Sequence, residues 1–199
     1  MPESRIPAVT SEIVARMFPA TPAANIRANL PVVLNALAPD LATKPMVLMA
    51  LATIRAEAES FEPATEAVSA FNTSPGGRPF DLYDARRDLG NQGPPDGERF
   101  RGRGFVQLTG RANYLARGRA IGMGDQLVQN PGLANDPEIA ARLLASFLKS
   151  RQKAILAALA KDDLAAARRL VNGGSAGLAR FTDAYRRGQA LIPDALEVH

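Results

Sequence analysis

Apolar residues recur three and four positions apart through most of this chain, the rhythm of helices with one buried face, and lose that rhythm in one central stretch. Residues 8–18 and 24–38 carry the first two helical patterns, and Pro31 inside the second predicts a kink. The third pattern, 45–61, is the clearest. Pro45 suits a first turn, and Val47, Leu51, Ile54, Ala58 and Phe61 form a stripe that must face a core. Pro63 biases Glu62 away from helical backbone, so this helix is expected to stop near Phe61. From 71 to 110 the strings FNTSPGGRPFD, LGNQGPPDG and RGRG break the pattern. Irregular segments of that length are uncommon in a compact domain and are often functional. Within it, Glu98 to Leu108 has partial strand character and predicts a small hairpin. Helical spacing returns after 111. Asp136 and Pro137 predict a capped helix through Ile139, Leu143 and Phe147, followed by Ile155 and Leu159 after an Arg/Lys-rich turn. Asp162 is expected to cap LAAARRLV, which Gly173 and Gly174 end, and a last helix runs from about Ser175 to Gly188.

The expected fold class is therefore mainly α, with a long irregular loop segment and a small hairpin. At 199 residues, 46% hydrophobic and 22% charged, the chain is read as one soluble domain, 1–199. Its parts are a helical region 8–61, a loop-rich region 62–112 and a helical region 113–190. Cysteine is absent and the one histidine is His199, which excludes disulfides, thiolate catalysis, Ser-His systems and histidine or cysteine metal centres. No metal and no cofactor is expected. The net charge of +4 is uneven: residues 98–187 hold 16 Lys/Arg against 7 acids, a local +9. Such a region favours an anionic polymer by steering. Without lysine blocks and interleaved aromatics, nucleic acid is not expected as a partner. The start, MPESRIPAVTSEIV, has acids early and no long apolar run, so neither a secretory signal nor a membrane span is expected.

With thiols and internal imidazoles gone, carboxylates, hydroxyls and lysines are left for chemistry. Glu57 follows Ile54 by three residues and precedes Phe61 by four, which puts it at the edge of the buried stripe, whereas Glu59 should face solvent. A partly desolvated carboxyl suits a general acid; the plainer alternative is that Glu57 borders the stripe or pairs with an arginine. Glu66 lies nine residues on. In a continuous helix the two would stand ~13.5 Å apart along the axis and on opposite sides. A turn at Pro63 would instead let Glu66 stand across a groove from Glu57, at the ~6.5–9.5 Å that accommodates a water beside a sugar. The string RGRGFVQLTGRANY (101–114) adds Gly102 and Gly104 for close backbone approach. Its Gln107, Thr109 and Asn113 bring uncharged groups that bind sugars and position water, and its Tyr114 could pack or close a cleft. Phe80 and Tyr83 are candidate sugar platforms on the rim formed by 71–84, or anchors of that loop.

RGRGFVQLTGRANY closely resembles the GRGxxQLTGRxNY signature of glycoside hydrolase family 19, which contains plant-type chitinases and many bacteriophage endolysins. RAEAESF around Glu57 is similar to the family's Glu-containing segment, and NGG at 172–174 and the arginine in LARFTDAY match downstream positions. The resemblance covers roughly residues 24 to 190. It implies a lysozyme-like fold of two helical lobes flanking a substrate cleft, with Glu57 as general acid and Glu66 as general base. It further implies that Thr109 helps hold the attacking water, that Asn113 and Asn172 contact sugar, and that Arg180 orients the Glu66 side. The sequence departs from the chitinase pattern in having Arg55-Ala56 before the acid, Glu59-Ser60 after it, and no tryptophan.

The expected function is hydrolysis of β-1,4 bonds between amino sugars of peptidoglycan, by an inverting two-carboxylate mechanism. The alternatives are an endochitinase and a non-catalytic glycan-binding module. The expected partner is the polysaccharide itself, with a monomer as default. The expected site of action is the cell wall, reached from the cytoplasm by a separate lysis or secretion route.

Overall fold

The computed structural model describes residues 3–172 and 176–199. Its elements in chain order are α1 (Ser11–Met17), α2 (Ala23–Leu41), α3 (Lys44–Glu57), β1 (Ala64–Thr65), α4 (Asp81–Asp84), α5 (Asp96–Arg99), β2 (Arg103–Gly104), α6 (Arg111–Ala120), α7 (Gln126–Gln129), α8 (Pro137–Lys149), α9 (Gln152–Leu159), α10 (Leu164–Asn172) and α11 (Leu178–Leu191). Short 3₁₀ turns occupy Arg87–Leu89 and Pro131–Asn135. The fold is mainly helical, as the apolar spacing requires. Two compact units divide the chain: Met1–Glu62 with Leu144–His199, and Pro63–Leu143. No described helix is long and apolar enough to cross a membrane.

The first unit is built around α3. Every residue from Met46 to Ala56 is buried, including Thr53 and Arg55, so the expected one-sided stripe is a helix enclosed all round. The reason is tertiary: α2, α9 and α11 all pack on it. Gly188 of α11 permits the closest approach, since a Cβ there would lie 2.4 Å from Leu48 Cδ2. Pro31 sits inside α2, whose Leu30, Val33, Leu34 and Leu37 are buried; that burial offsets the backbone hydrogen bond a proline lacks.

The end of α3 corrects the expectation placed on Pro63. The helix stops at Glu57, four residues before Phe61: Ala58 leaves helical backbone at φ −135°, its N–H closing on the Ile54 carbonyl at 2.7 Å. Phe61 takes a positive φ of 59° and is fully buried, its ring meeting Phe18 edge-on at 4.9 Å. Burying an aromatic ring outweighs the strain of a left-handed residue. The turn is thus set by the Phe18–Phe61 contact, and Glu57 becomes the last residue of α3 rather than an interior one.

Asp136 caps α8 as expected, accepting from the Glu138 and Ile139 N–H groups at 3.0 and 3.1 Å. The cap of α10 moves by one residue. Asp163, not Asp162, accepts from the N–H of Ala166 (2.8 Å), while Asp162 adopts φ 55° and its carboxylate pairs with Arg186. The expected Gly173–Gly174 stop lies outside the described residues.

The second unit holds a core of Phe100, Leu108, Tyr114, Ile121, Leu127, Ala134 and Leu143. Its hairpin pairs β1 with β2 antiparallel, Ala64 opposite Gly104 and Thr65 opposite Arg103, with a further bridge between Arg103 and Leu108. The strand character seen in 98–108 is therefore real, but its partner lies upstream of the irregular segment. Asn135 pins the pair by accepting from Gly104 N–H (3.0 Å) and donating to Thr65 Oγ1 (2.6 Å).

Candidate functional site

Glu66 follows β1 directly, and its N–H donates to the Gly102 carbonyl at 2.8 Å, so the hairpin register sets where its side chain begins. Three donors then hold the half-buried carboxylate. Asn72 Nδ2 and the Tyr83 hydroxyl reach Oε1 at 3.0 and 2.9 Å, and the Gly102 N–H reaches Oε2 at 3.0 Å. Gly102 has to be glycine here. A Cβ at 102 would lie 2.7 Å from Gln107 Oε1 and 3.1 Å from Glu66 Oε2, so the close approach expected of the motif is made by the protein's own side chains.

Asn72 and Tyr83 are each fixed in turn. Asn72 is fully buried, and its Oδ1 accepts from Ser69 N–H (2.9 Å) and Thr73 Oγ1 (2.8 Å). The Tyr83 carbonyl accepts from Asn91 Nδ2 at 2.8 Å, and Asn91 Oδ1 accepts from the N–H of Arg111 at 2.9 Å. Arg111 makes a two-pronged pair with buried Asp96, both contacts at 2.7 Å. Burial and the neighbouring Glu66 push the Tyr83 hydroxyl up to about 12, so it stays a donor throughout the neutral range.

The hydrogen bonds from Arg111 hold the Asp96 carboxyl below the usual carboxylate range. A carboxyl depressed in the folded state contributes stability above its unfolded value, near pH 4, and that contribution is lost as pH falls through the folded value. Thermal unfolding followed from pH 6 to about pH 2 should show wild type losing stability below about pH 4, with a shallower fall in Asp96→Asn. Parallel curves would remove the pair from this role.

The remaining motif residues are more occupied than their chemistry suggested. Gln107, at φ 51°, spends Nε2 on the Ala64 and Gly104 carbonyls (2.9 and 3.1 Å), and thereby braces the hairpin. Thr109 donates to the Gln107 carbonyl at 2.9 Å, leaving its oxygen as an acceptor. Asn113 is exposed, with Nδ2 on the Thr109 carbonyl at 2.7 Å. For Tyr114 and Phe80 the packing alternative, not the sugar contact, is what the fold contains. Tyr114 is fully buried against Phe100, its hydroxyl donating to the Arg101 carbonyl (2.8 Å) and accepting from Arg103 (3.0 Å), so it packs and touches no sugar. Phe80 is 3% exposed and lies under the Arg101 guanidinium, an anchor rather than a platform. Tyr83 turns its hydroxyl to Glu66 and positions that carboxylate through it.

In the other unit, Glu57 ends α3 with its side chain 19% exposed, and Arg168 of α10, 1% exposed, reaches its Oε1 with Nη2 at 2.6 Å. Arg168 is itself held by the Ala176 carbonyl, through Nε (3.2 Å) and Nη2 (2.9 Å). The plainer alternative for Glu57, a pairing with arginine, is thus what the fold contains. Glu59 is 41% exposed and lies near Arg55 (3.4 Å) and Arg180 (3.8 Å). Arg180, to which the resemblance gives the orienting of the Glu66 side, donates from its guanidinium to the Ala56 carbonyl at 3.1 Å. Asn172 closes α10, and its side chain lies outside the described residues.

Sequence pattern alone does not single out Asn72, Arg111 or Arg168. Asn72 sits in an NTS string that looks like any turn, and Arg168 is one of two adjacent arginines on an amphipathic helix. Arg111 alone had a signal, as the arginine of the LTGRANY string. Among the described residues no group of acidic or imidazole side chains could hold a metal ion.

The fold is that of the family 19 chitinases. Chitinase C from Streptomyces griseus HUT6037 superposes with a TM-score of 0.62 at 21% identity, over 94% of this chain and 79% of that one. A bacterial family 19 chitinase superposes with a TM-score of 0.64 at 20% identity, over 94% of this chain and 97% of that one. In sequence, an acidic 26 kDa endochitinase of Solanum lycopersicum is 43% identical over 56 residues, and the acidic endochitinase pcht28 of Solanum chilense 45% identical over 56. Those stretches amount to 28% of this chain and 22% of either plant protein. No family model matches the chain.

Proposed function

We propose that the chain hydrolyses β-1,4-linked polymers of N-acetylated amino sugars, with Glu57 as general acid and Glu66 as general base. The observation that carries this reading is the Glu66 carboxylate gripped by Asn72, Tyr83 and the Gly102 N–H on the signature turn, in a fold shared with family 19 chitinases. Glu57 delivers its proton to the glycosidic oxygen as the C–O bond breaks. Glu66 takes a proton from water as that water's oxygen bonds to the anomeric carbon from the opposite face. Charge is conserved without a covalent sugar intermediate. Thr109 offers its oxygen to the same water, and Asn113 its exposed amide to the sugar.

Chitin oligomers are the first substrate, because the similar proteins are named for that activity. Peptidoglycan glycan strands are the second reading, favoured by the local +9 of residues 98–187. Incubation with N-acetylglucosamine hexamer and with purified sacculi, followed by proton NMR of the fresh reducing ends, should show the α-anomer first. A β-anomer would replace inversion by a double displacement, and binding without cleavage of either polymer would support a glycan-binding module.

Tyr83→Phe removes one donor to Glu66 without opening a cavity. It is expected to lower kcat roughly ten-fold with little change in melting temperature, from the worth of a hydrogen bond to a charged group. An unchanged kcat would show that Asn72 and Gly102 hold the carboxylate unaided.

A further inference from the structure

A polysaccharide is commonly gripped through the C–H face of its sugar rings laid on an aromatic side chain. This chain has eight Phe, three Tyr and no Trp. Eight of these eleven rings are buried. Phe147 is half-buried beneath the Arg151 guanidinium, 4.1 Å from its ring centre, and Tyr83 is half-buried with its hydroxyl on Glu66 Oε1. Phe71 is left, and it is 91% exposed. An isolated exposed leucine would need no explanation, but Phe71 presents a whole ring face to solvent, with Val68 at 57% and Leu82 at 47% exposed in the same segment.

The backbone that presents the ring is well fixed. Phe71 N–H donates to Ser69 Oγ at 3.3 Å, and the next residue, Asn72, is fully buried with its carbonyl accepting from Leu82 N–H at 3.3 Å. Asn72 is also the residue whose amide holds Glu66 Oε1. The exposed ring is therefore one residue from a group that positions the base, on the same turn.

We propose that Phe71 is the platform on which a pyranose ring of the substrate stacks, next to the sugar attacked with the help of Glu66. The proposal rests on the hydrolase reading above and names the residue that grips the polymer. It commits to a sugar face as occupant because of this link through Asn72. A fixed turn carrying an exposed ring suits a ligand whose ring must be held in register with a carboxylate.

The absence of tryptophan makes a direct test possible. Phe71→Trp introduces the sole indole of the chain, and combining it with Glu57→Gln suppresses turnover. Titration with N-acetylglucosamine hexamer should shift the emission to the blue, saturably. In the same Glu57→Gln background, Phe71→Ala should weaken hexamer binding by calorimetry about ten-fold, and Phe71→Tyr should restore it. The melting temperature should not move, because the ring is covered by nothing in the free protein. A hexamer that binds with unchanged affinity to the alanine variant and leaves the indole emission unmoved overturns the platform while the hydrolase reading stands. If wild type neither binds nor cleaves the hexamer or sacculi, both fall together. An emission shift that follows protein concentration without sugar, or that phosphatidylglycerol vesicles produce and hexamer does not, assigns the ring to a second copy or to a lipid surface and also overturns it.

Discussion

Glu57→Gln is expected to lower hydrolysis of chitin oligomers by roughly 10² to 10⁴-fold, the range over which a positioned general acid contributes. Glutamine keeps the oxygen that Arg168 Nη2 reaches at 2.6 Å, so the side chain can remain in place while losing the proton it would donate. Binding of N-acetylglucosamine hexamer should therefore persist in the variant that no longer cleaves it. Reducing-end release and calorimetry on the same preparation separate the two quantities. A variant keeping more than about a tenth of wild-type turnover would assign the acid to another group, and Glu59, 41% exposed beside Arg55 and Arg180, would be the next to replace.

Arg168→Met should produce the largest loss of stability. The guanidinium is 1% exposed and ties together the Glu57 carboxylate at the end of α3 and the Ala176 carbonyl just before α11. Removing one partner of a buried pair leaves the other without compensation, at a cost of about 3–5 kcal/mol. For a chain of this size that corresponds to a fall of roughly 10 °C in melting temperature. Arg168→Lys should fall between the two, because an ammonium cannot reproduce the planar fork that addresses carboxylate and carbonyl together. Circular dichroism melts alongside kcat measure both consequences. If the Met variant melts with the wild type and keeps its kcat, the pair contributes to neither folding nor the placing of Glu57.

The residues behind these predictions were legible to different degrees. Glu57 could be picked out because its phase against Ile54 is a local property of one helix. Arg168, 111 residues away in the chain, could not: its phase, four residues after Leu164 and three before Val171, puts it on the buried face of α10, but nothing local says that a carboxylate meets it there. Glu66 was suggested by the turn expected at Pro63, but its role came through the resemblance, since a lone glutamate after a proline looks like any solvated loop residue. Its companions show the same divide. Tyr83 stands out in sequence for its ring but acts through its hydroxyl, and Asn72 does not stand out, because an asparagine between Phe71 and Thr73 is ordinary turn chemistry whereas its side chain is fully buried in the fold. Phe80 and Phe71 are apolar letters of the same loop, and the sequence pointed to Phe80 as the platform and passed over Phe71. Their fates, 3% and 91% exposed, depend on whether Arg101 and the unit's core lie over the ring.

Helix content, the α8 cap, the absence of thiol and imidazole chemistry and the signature turn follow from residue type and short spacing, because capping, periodicity and ionisable groups act within a few residues of one another. Where α3 ends, which rings are hidden and which side chains hold Glu57 and Glu66 were decided by tertiary structure alone. Those outcomes come from partners far apart in sequence: Phe18 drawing Phe61 into a left-handed turn, Arg168 meeting Glu57, and Gly102 giving up its Cβ so that Glu66 and Gln107 can lie side by side.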